Sequence, residues 1–259
     1  MRRSSLAAAA ASLLAAAVPA TASATEVQLG QTSSPLVAPT CPPGTSAANC
    51  TILLTKMTGV ETMSDSTLFP TRVKQPGVLF AMTLGISSAA KAYVSSLDKT
   101  YGGAPSAELT VLRPLGSAGR YRFQVVAQSP AQTLTAYQGS VEQFPLAQAL
   151  PVVPGEIVAL STGTWAPVLA IDQSKTSFAY RQPVVATPQT PGAKPSCWQT
   201  TLGTPLSIGN QNSYGCNYAG TRIEYTATEV TTPTPSAAIR LSRRISRENR
   251  HRRPRTIRR

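Results

Sequence analysis

The chain has 259 residues, a formal net charge of +13 and 42% hydrophobic side chains, with four cysteines and a single histidine. That histidine, His251, sits near the C-terminus, so the body offers none for a Ser-His-Asp or Cys-His arrangement, for imidazole acid-base work or for most transition-metal sites. The charge is just as unevenly placed: residues 240–259 carry +9, Arg2 and Arg3 add +2, and the remaining +2 leaves a near-neutral body with no basic face for nucleic acid.

The first residues read as a secretory signal peptide over 1–24. Arg2 and Arg3 precede a run from Leu6 to Val18 that is apolar except for Ser12. Small residues follow, with Ala-x-Ala patterns ending at Ala22 and Ala24. The run is shorter than the ~20 residues of a membrane span, so no transmembrane anchor is expected. Ser4 and Ser5 follow the twin arginines where bulky apolar residues mark the folded-protein route, so the general export route is favoured. The expected location is secreted, extracellular or cell-wall associated, away from nucleic acid.

Export also bears on the cysteines. An even number in an exported chain points to disulfides. Pairing Cys41 with Cys50 and Cys197 with Cys216 is the simplest of three connectivities, each bridge contributing roughly 3 kcal/mol. The spacings C-x8-C and C-x18-C do not fit zinc.

From residue 25 to 232 the chain reads as one domain of strands. Candidates in order are 26–32, 51–57, 78–86, 107–113, 120–128, 134–144, 156–161, 166–172, 177–185 and 221–230. In RYRFQVVAQ, Tyr121, Phe123, Val125 and Ala127 alternate with Arg122, Gln124 and Gln128, Val126 being the exception. In TRIEYTATEV, Ile223, Tyr225 and Ala227 alternate with Arg222, Glu224 and Thr226. Period two marks half-buried antiparallel strands. SSAAKAYVSSLDK, short and flanked by strands, reads as a loop with one helical turn. About ten strands and almost no helix give an all-β class: an antiparallel two-sheet sandwich of jelly-roll or Greek-key type, with a closed barrel as competitor.

Three blocks carry a resemblance. They are GVLFAMTLGI, then AELTVLRPLGSAGRYRFQVVAQS, then FPLAQALPVVPGEIVALST. Gly77 with Val78, Leu109 with Val111 and Arg113, Phe144 with Pro145, and Gly155 with Glu156 occupy their key places. In this the chain resembles a group of secreted actinobacterial β-sandwich proteins. Glu156 stands where Asp is more usual, and a tryptophan near the opening strand is absent. The resemblance implies a jelly-roll-like sandwich and brings no catalytic residues.

The chemistry left to the body is that of carboxylates. Glu26, Glu61, Asp65, Asp98, Glu108, Glu142, Glu156, Asp172, Glu224 and Glu229 could supply the pair a glycan hydrolase needs. Glu108, Glu142 and Glu224 fall on polar strand positions, where solvated charge is the ordinary case. Oxygen-rich SDST around Asp65 suits either calcium or a polar turn. The expectation is no metal, no cofactor and no enzyme activity.

The stretch most like a site is 197–218. Trp198, Tyr214 and Tyr218 lie there beside Asn217 and other side-chain amides. Flat rings and amides suit sugars, although Trp198 can equally pack over the bridge. Residues 233–239 form a Pro/Ser/Ala linker to an Arg-rich tail that composition marks as disordered. Arg243, Arg244, Arg247, Arg250, Arg252, Arg253, Arg255, Arg258 and Arg259 would bind extracellular polyanions such as cell-wall polymers or acidic glycans, in a salt-sensitive way. A solvated tail without a partner, or an extension from misplaced translation of an Arg-coding, GC-rich stretch, are the alternatives. The expected role is a non-enzymatic binding or structural module of the cell envelope, with a carboxylate-based hydrolase as alternative.

Overall fold

Alternation along the body becomes antiparallel pairing. The computed structural model describes residues 23–45, 50, 52–89, 91–116, 121–184, 197 and 207–232. Residues 1–22 of the leader expected over 1–24, and the Arg-rich segment from 233 to 259, lie outside them. Among the described residues the strands are β1 (Glu26–Leu29), β2 (Leu54–Ser64), β3 (Thr67–Leu68), β4 (Gly77–Gly85), β5 (Ser106–Pro114), β6 (Arg122–Gln128), β7 (Gln132–Thr133), β8 (Val141–Val152), β9 (Ile157–Ala166), β10 (Leu169–Ala170), β11 (Ala179–Gln182), β12 (Gln211–Ser213), β13 (Cys216–Ala219), β14 (Arg222–Ile223) and β15 (Tyr225–Thr231). One helix, α1 (Lys91–Tyr101), joins them.

The strands build an all-β sandwich. One sheet has four strands in the order β1-β15-β4-β8. The other has nine and curls; its path is β12-β6-β5-β9-β2-β11-β13, with β3 beside β2 and β7 beside β5, while β10 and β14 pair separately as a two-stranded ribbon. All the pairings are antiparallel, and neighbours such as β1 and β15 are far apart in sequence, so the order is not a simple meander.

Both faces of the nine-stranded sheet are apolar. One face packs on the four-stranded sheet through Leu109, Val111, Val158 and Leu160 against Leu79, Leu84, Tyr225 and Ala227. The other carries a smaller cluster of Val60, Leu112, Phe123, Val125, Ile157, Ala159 and Tyr214, edged by Phe69 and Tyr121. This explains Val126: with apolar material on both sides of β6, it packs on the main core with Ala127, while Phe123 and Val125 serve the smaller cluster.

Strand β4 needs glycine where the Val37 backbone and the Glu229 side chain press on it. A Cβ at Gly85 would lie 1.9 Å from the carbonyl oxygen of Val37, and one at Gly77 would lie 2.5 Å from Glu229 Oε1. Arg113 and Glu156 also meet: Arg113 pairs with the buried Glu156 at 2.9 Å, and Glu156 Oε2 accepts from the Val153 amide at 2.9 Å.

Several expectations need correcting. The segment read as a loop with one turn is the 11-residue helix α1. Its hold is tertiary: Leu97 is buried, and the fully buried Trp165 donates its indole N–H to Asp98 Oδ1 at 3.0 Å. Gly102, at φ 83°, ends it by donating to the Asp98 carbonyl. Residues 134–144 do not form one strand: Thr135–Tyr137 is a 3-10 turn, Gly139 has φ 83°, and β8 begins at Val141. The expected strand at 166–172 shrinks to two residues. Glu224 is not a solvated charge, because β14 and β15 are covered on both sides and Arg222, Glu224 and Thr226 are all buried.

Candidate functional site

Both disulfides follow the local pairing, Cys41 to Cys50 and Cys197 to Cys216, and no cysteine is free. The second ties Cys197 to the start of β13. Next to it Tyr218 stacks on Tyr180 with ring centroids 4.8 Å apart and planes 11° from parallel. The Tyr218 hydroxyl accepts from Gln182 Nε2 at 2.9 Å and donates to the Cys197 carbonyl at 3.1 Å. Gln182 Nε2 also reaches that carbonyl, at 3.2 Å. Half-burial raises the Tyr218 phenol above its ordinary value. Its ring and hydroxyl therefore serve the bridge and the core.

The other residues expected in this site go different ways. Tyr214 is 0% exposed and meets Phe123 edge-on at 5.3 Å, so it offers no ring face to a ligand. Its hydroxyl makes no hydrogen bond, and burial pushes its pKa upward. Trp198 lies outside the described residues, as do the tail arginines. Asn217 is exposed on the opposite side of β13 from Tyr218.

Asn217 lines a groove of about 230 Å³ that sequence reasoning did not find. Thr62, Leu68, Phe69, Tyr121, Lys175 and Ala219 line it too. It opens where the smaller apolar cluster is left uncovered. Leu68 is 69% exposed, and Phe69 and Tyr121 lie with ring centroids 6.2 Å apart. The Arg181 guanidinium is 3.7 Å from the Tyr121 centroid, held there by donating to the Tyr214 and Gly215 carbonyls at 3.3 and 3.1 Å. Its Nε is buried without a partner. Such stacking contributes about 0.5–2 kcal/mol and fixes the ring.

The groove's wall is built by a tight turn. Asp65 and Ser66 both have positive φ, 47° and 64°, and carry β2 into β3. Asp65 takes the Ser34 amide and hydroxyl, each at 2.7 Å, and hydrogen bonds from Thr32 and Ser34 hold its acid well below the usual carboxylate range. SDST is thus a hydrogen-bonded turn. Phe69, directly before Pro70, has φ 47°, uncommon for an aromatic. An aromatic beside proline in a turn-rich stretch was the one sequence signal available for it. Lys175 and Arg181 gave none.

The carboxylates do not converge on this groove. Glu61 is 3% exposed; its Oε2 accepts from the Ile223 amide at 2.9 Å and its Oε1 has no partner. Burial raises its pKa well above the ordinary value, against the pull of that amide and of Arg222, while Glu224 adds to the rise. Burial also raises Glu224, opposed by Arg222 at 3.7 Å. Among the described residues, no three His, Cys, Asp or Glu side chains gather as a metal site, and no helix is long and apolar enough to cross a membrane. No family model, curated protein or solved structure matches the chain.

Proposed function

We propose that this is a secreted, non-enzymatic binding module of the cell envelope or extracellular space, which recognises glycan at the Phe69–Tyr121 groove. Two disulfides and a sandwich without a membrane-length helix among the described residues fit a secreted, disulfide-stabilised β protein. The observation that carries the binding reading is the Tyr121 ring, locked by Arg181 and set beside Phe69, Lys175 and Asn217. An aromatic face covers the apolar side of a sugar, while amide and ammonium take its oxygens. The site moves from the second disulfide loop to the neighbouring groove and retains Asn217 of the residues first singled out. The Arg-rich tail would add a salt-sensitive hold on polyanionic surface polymers.

A glycan array with the full chain tests this. Binding to at least one class of glycan is expected, reduced tenfold or more in Tyr121→Ala at unchanged melting temperature. No binding, or binding indifferent to Tyr121, Asn217 and Lys175, would sink it. For the tail, deleting 233–259 should lower retention on cell walls at low salt; unchanged retention rejects the tether. Release of sugar from polysaccharides by the full chain would favour a hydrolase instead.

A further inference from the structure

We infer that the open mouth between the two sheets, floored by Glu229, binds a hexuronate, the carboxylate-bearing residue of an acidic glycan. This rests on the glycan-binding reading above and names the ligand class. The mouth encloses about 210 Å³, room for one sugar-sized group. β1 and β15 supply one wall, and the segment from Thr67 to Gln75 supplies the other.

Its chemistry is mixed in a way that few ligands match. Glu229 is 1% exposed, yet its Oε1 is buried without a hydrogen bond. The carboxylate lies against Gly77, in space that a Cβ there would fill. Arg72 and Lys74 line the same mouth, but neither comes within ion-pairing distance of Glu229. A buried acceptor left open is costly unless a donor reaches it. Arg72 and Lys74 on the wall of the mouth disfavour a metal ion or an amine and favour an anion, one Arg72 N–H already reaching the Gly155 carbonyl at 3.4 Å. The ligand must therefore bring a hydrogen-bond donor inward and a negative group outward. Gln31 and Gln75 also line the mouth, and side-chain amides can both give to and accept from hydroxyls. A hexuronate has ring hydroxyls for Glu229 and the amides, and a carboxylate for Arg72 and Lys74.

The mouth and the groove share a wall. Successive residues of β3 divide between them: Thr67 lines the mouth and Leu68 lines the groove. Arg72 links the two, since it lines the mouth while its guanidinium sits 5.0 Å from the Phe69 centroid. An acidic oligosaccharide would place one sugar in the mouth and the next on the aromatic groove.

The test is a titration of the full chain with glucuronate, followed by amide chemical shifts, with glucose as the neutral control. Saturable shifts around Gln28, Arg72 and Glu229 are expected with glucuronate and much weaker ones with glucose. Glu229→Gln keeps the shape and should weaken binding about tenfold, and Lys74→Ala should weaken it as well. Ile208→Ala, exposed and lining neither the mouth nor the groove, should leave glucuronate binding unchanged. Equal binding of glucose, or glucuronate binding indifferent to Glu229→Gln in a folded variant, overturns the inference. If glucuronate gives no shifts while Tyr121-dependent glycan binding persists, the mouth assignment falls and the groove reading stands. If glucuronate binds as expected but no glycan depends on Tyr121, the groove reading falls.

Discussion

The two faces of the nine-stranded sheet are covered differently. One is closed by a whole second sheet, with Leu109, Val158 and Leu160 fully buried beneath it. The other is covered by short pieces, among them Tyr214 at the end of β12 and Phe69 and Tyr121 at the margin. The first face supplies stability. The second leaves aromatic rings half-uncovered, and a groove appears where the cover stops. A sheet with apolar residues on both sides can thus support the fold with one and offer a surface with the other.

The largest effects should come from the closed face. Leu160→Ala should cost about 2–5 kcal/mol in denaturant unfolding, because the sheets cannot close on the cavity. Leu112→Ala, on the open face, should fall near the low end of that range, since short elements can settle inward. Equal losses would mean that the two covers are equally rigid.

Next come the bridges. Replacing Cys197 and Cys216 together by alanine should cost roughly 3 kcal/mol, read as a lower melting temperature, and should loosen β13 with Asn217 and Ala219. Ligand affinity should therefore fall along with stability. Removing the Cys41–Cys50 bridge should cost a similar amount and leave the groove's affinity unchanged. An affinity loss from the first bridge as large as from the second would blur the division between the faces.

The pattern of legible and hidden features has a physical cause. Alternation made β6 and β15 readable, because their apolar positions face a core wherever that core lies. It could not tell whether the polar positions face water. Glu224 and Arg222 fit the alternation and are nevertheless buried, because residues 35–37 cross over them: the Pro35 carbonyl accepts from Arg222, and the Val37 amide donates to Glu224. Helix α1 was hidden for a similar reason. Its anchor, the Trp165 indole on Asp98, spans 67 residues, and only the Gly102 cap could have been seen locally. The groove itself joins Phe69, Tyr121, Lys175 and Asn217 from four separate segments. Of these only Asn217 sat in a stretch that composition marked as unusual, and of the rings beside it Tyr214 is buried and Tyr218 stacks on Tyr180.

A smaller effect concerns acidity. Glu61 holds its proton in the folded state above the pH at which the unfolded chain releases it. Below about 4.5, its ordinary value, both states are protonated and its contribution is full. As pH rises from there toward the folded value, the unfolded chain ionises first and stability falls. Glu224 and Glu229 shift in the same direction. Glu61→Gln should remove part of this slope, matching the parent near pH 4 and melting higher than it at pH 8. A parent whose melting temperature rises steadily from pH 5 to pH 8 would contradict the burial of an uncompensated carboxylate.

The smallest effect on stability, and the largest on binding, belongs to the groove. Lys175→Ala and Asn217→Ala, both at exposed positions, should change stability by less than ~0.5 kcal/mol while weakening any glycan that the full chain retains.

The most direct measurement is an amide shift map of the full chain on adding an acidic oligosaccharide. The open-face account predicts perturbations gathered in residues 65–75, at Tyr121, in 175–181 and 217–219, and, at the mouth, in 27–31 and at Glu229. Perturbations centred instead on the exposed strand β8, or the absence of any saturable change, would contradict it.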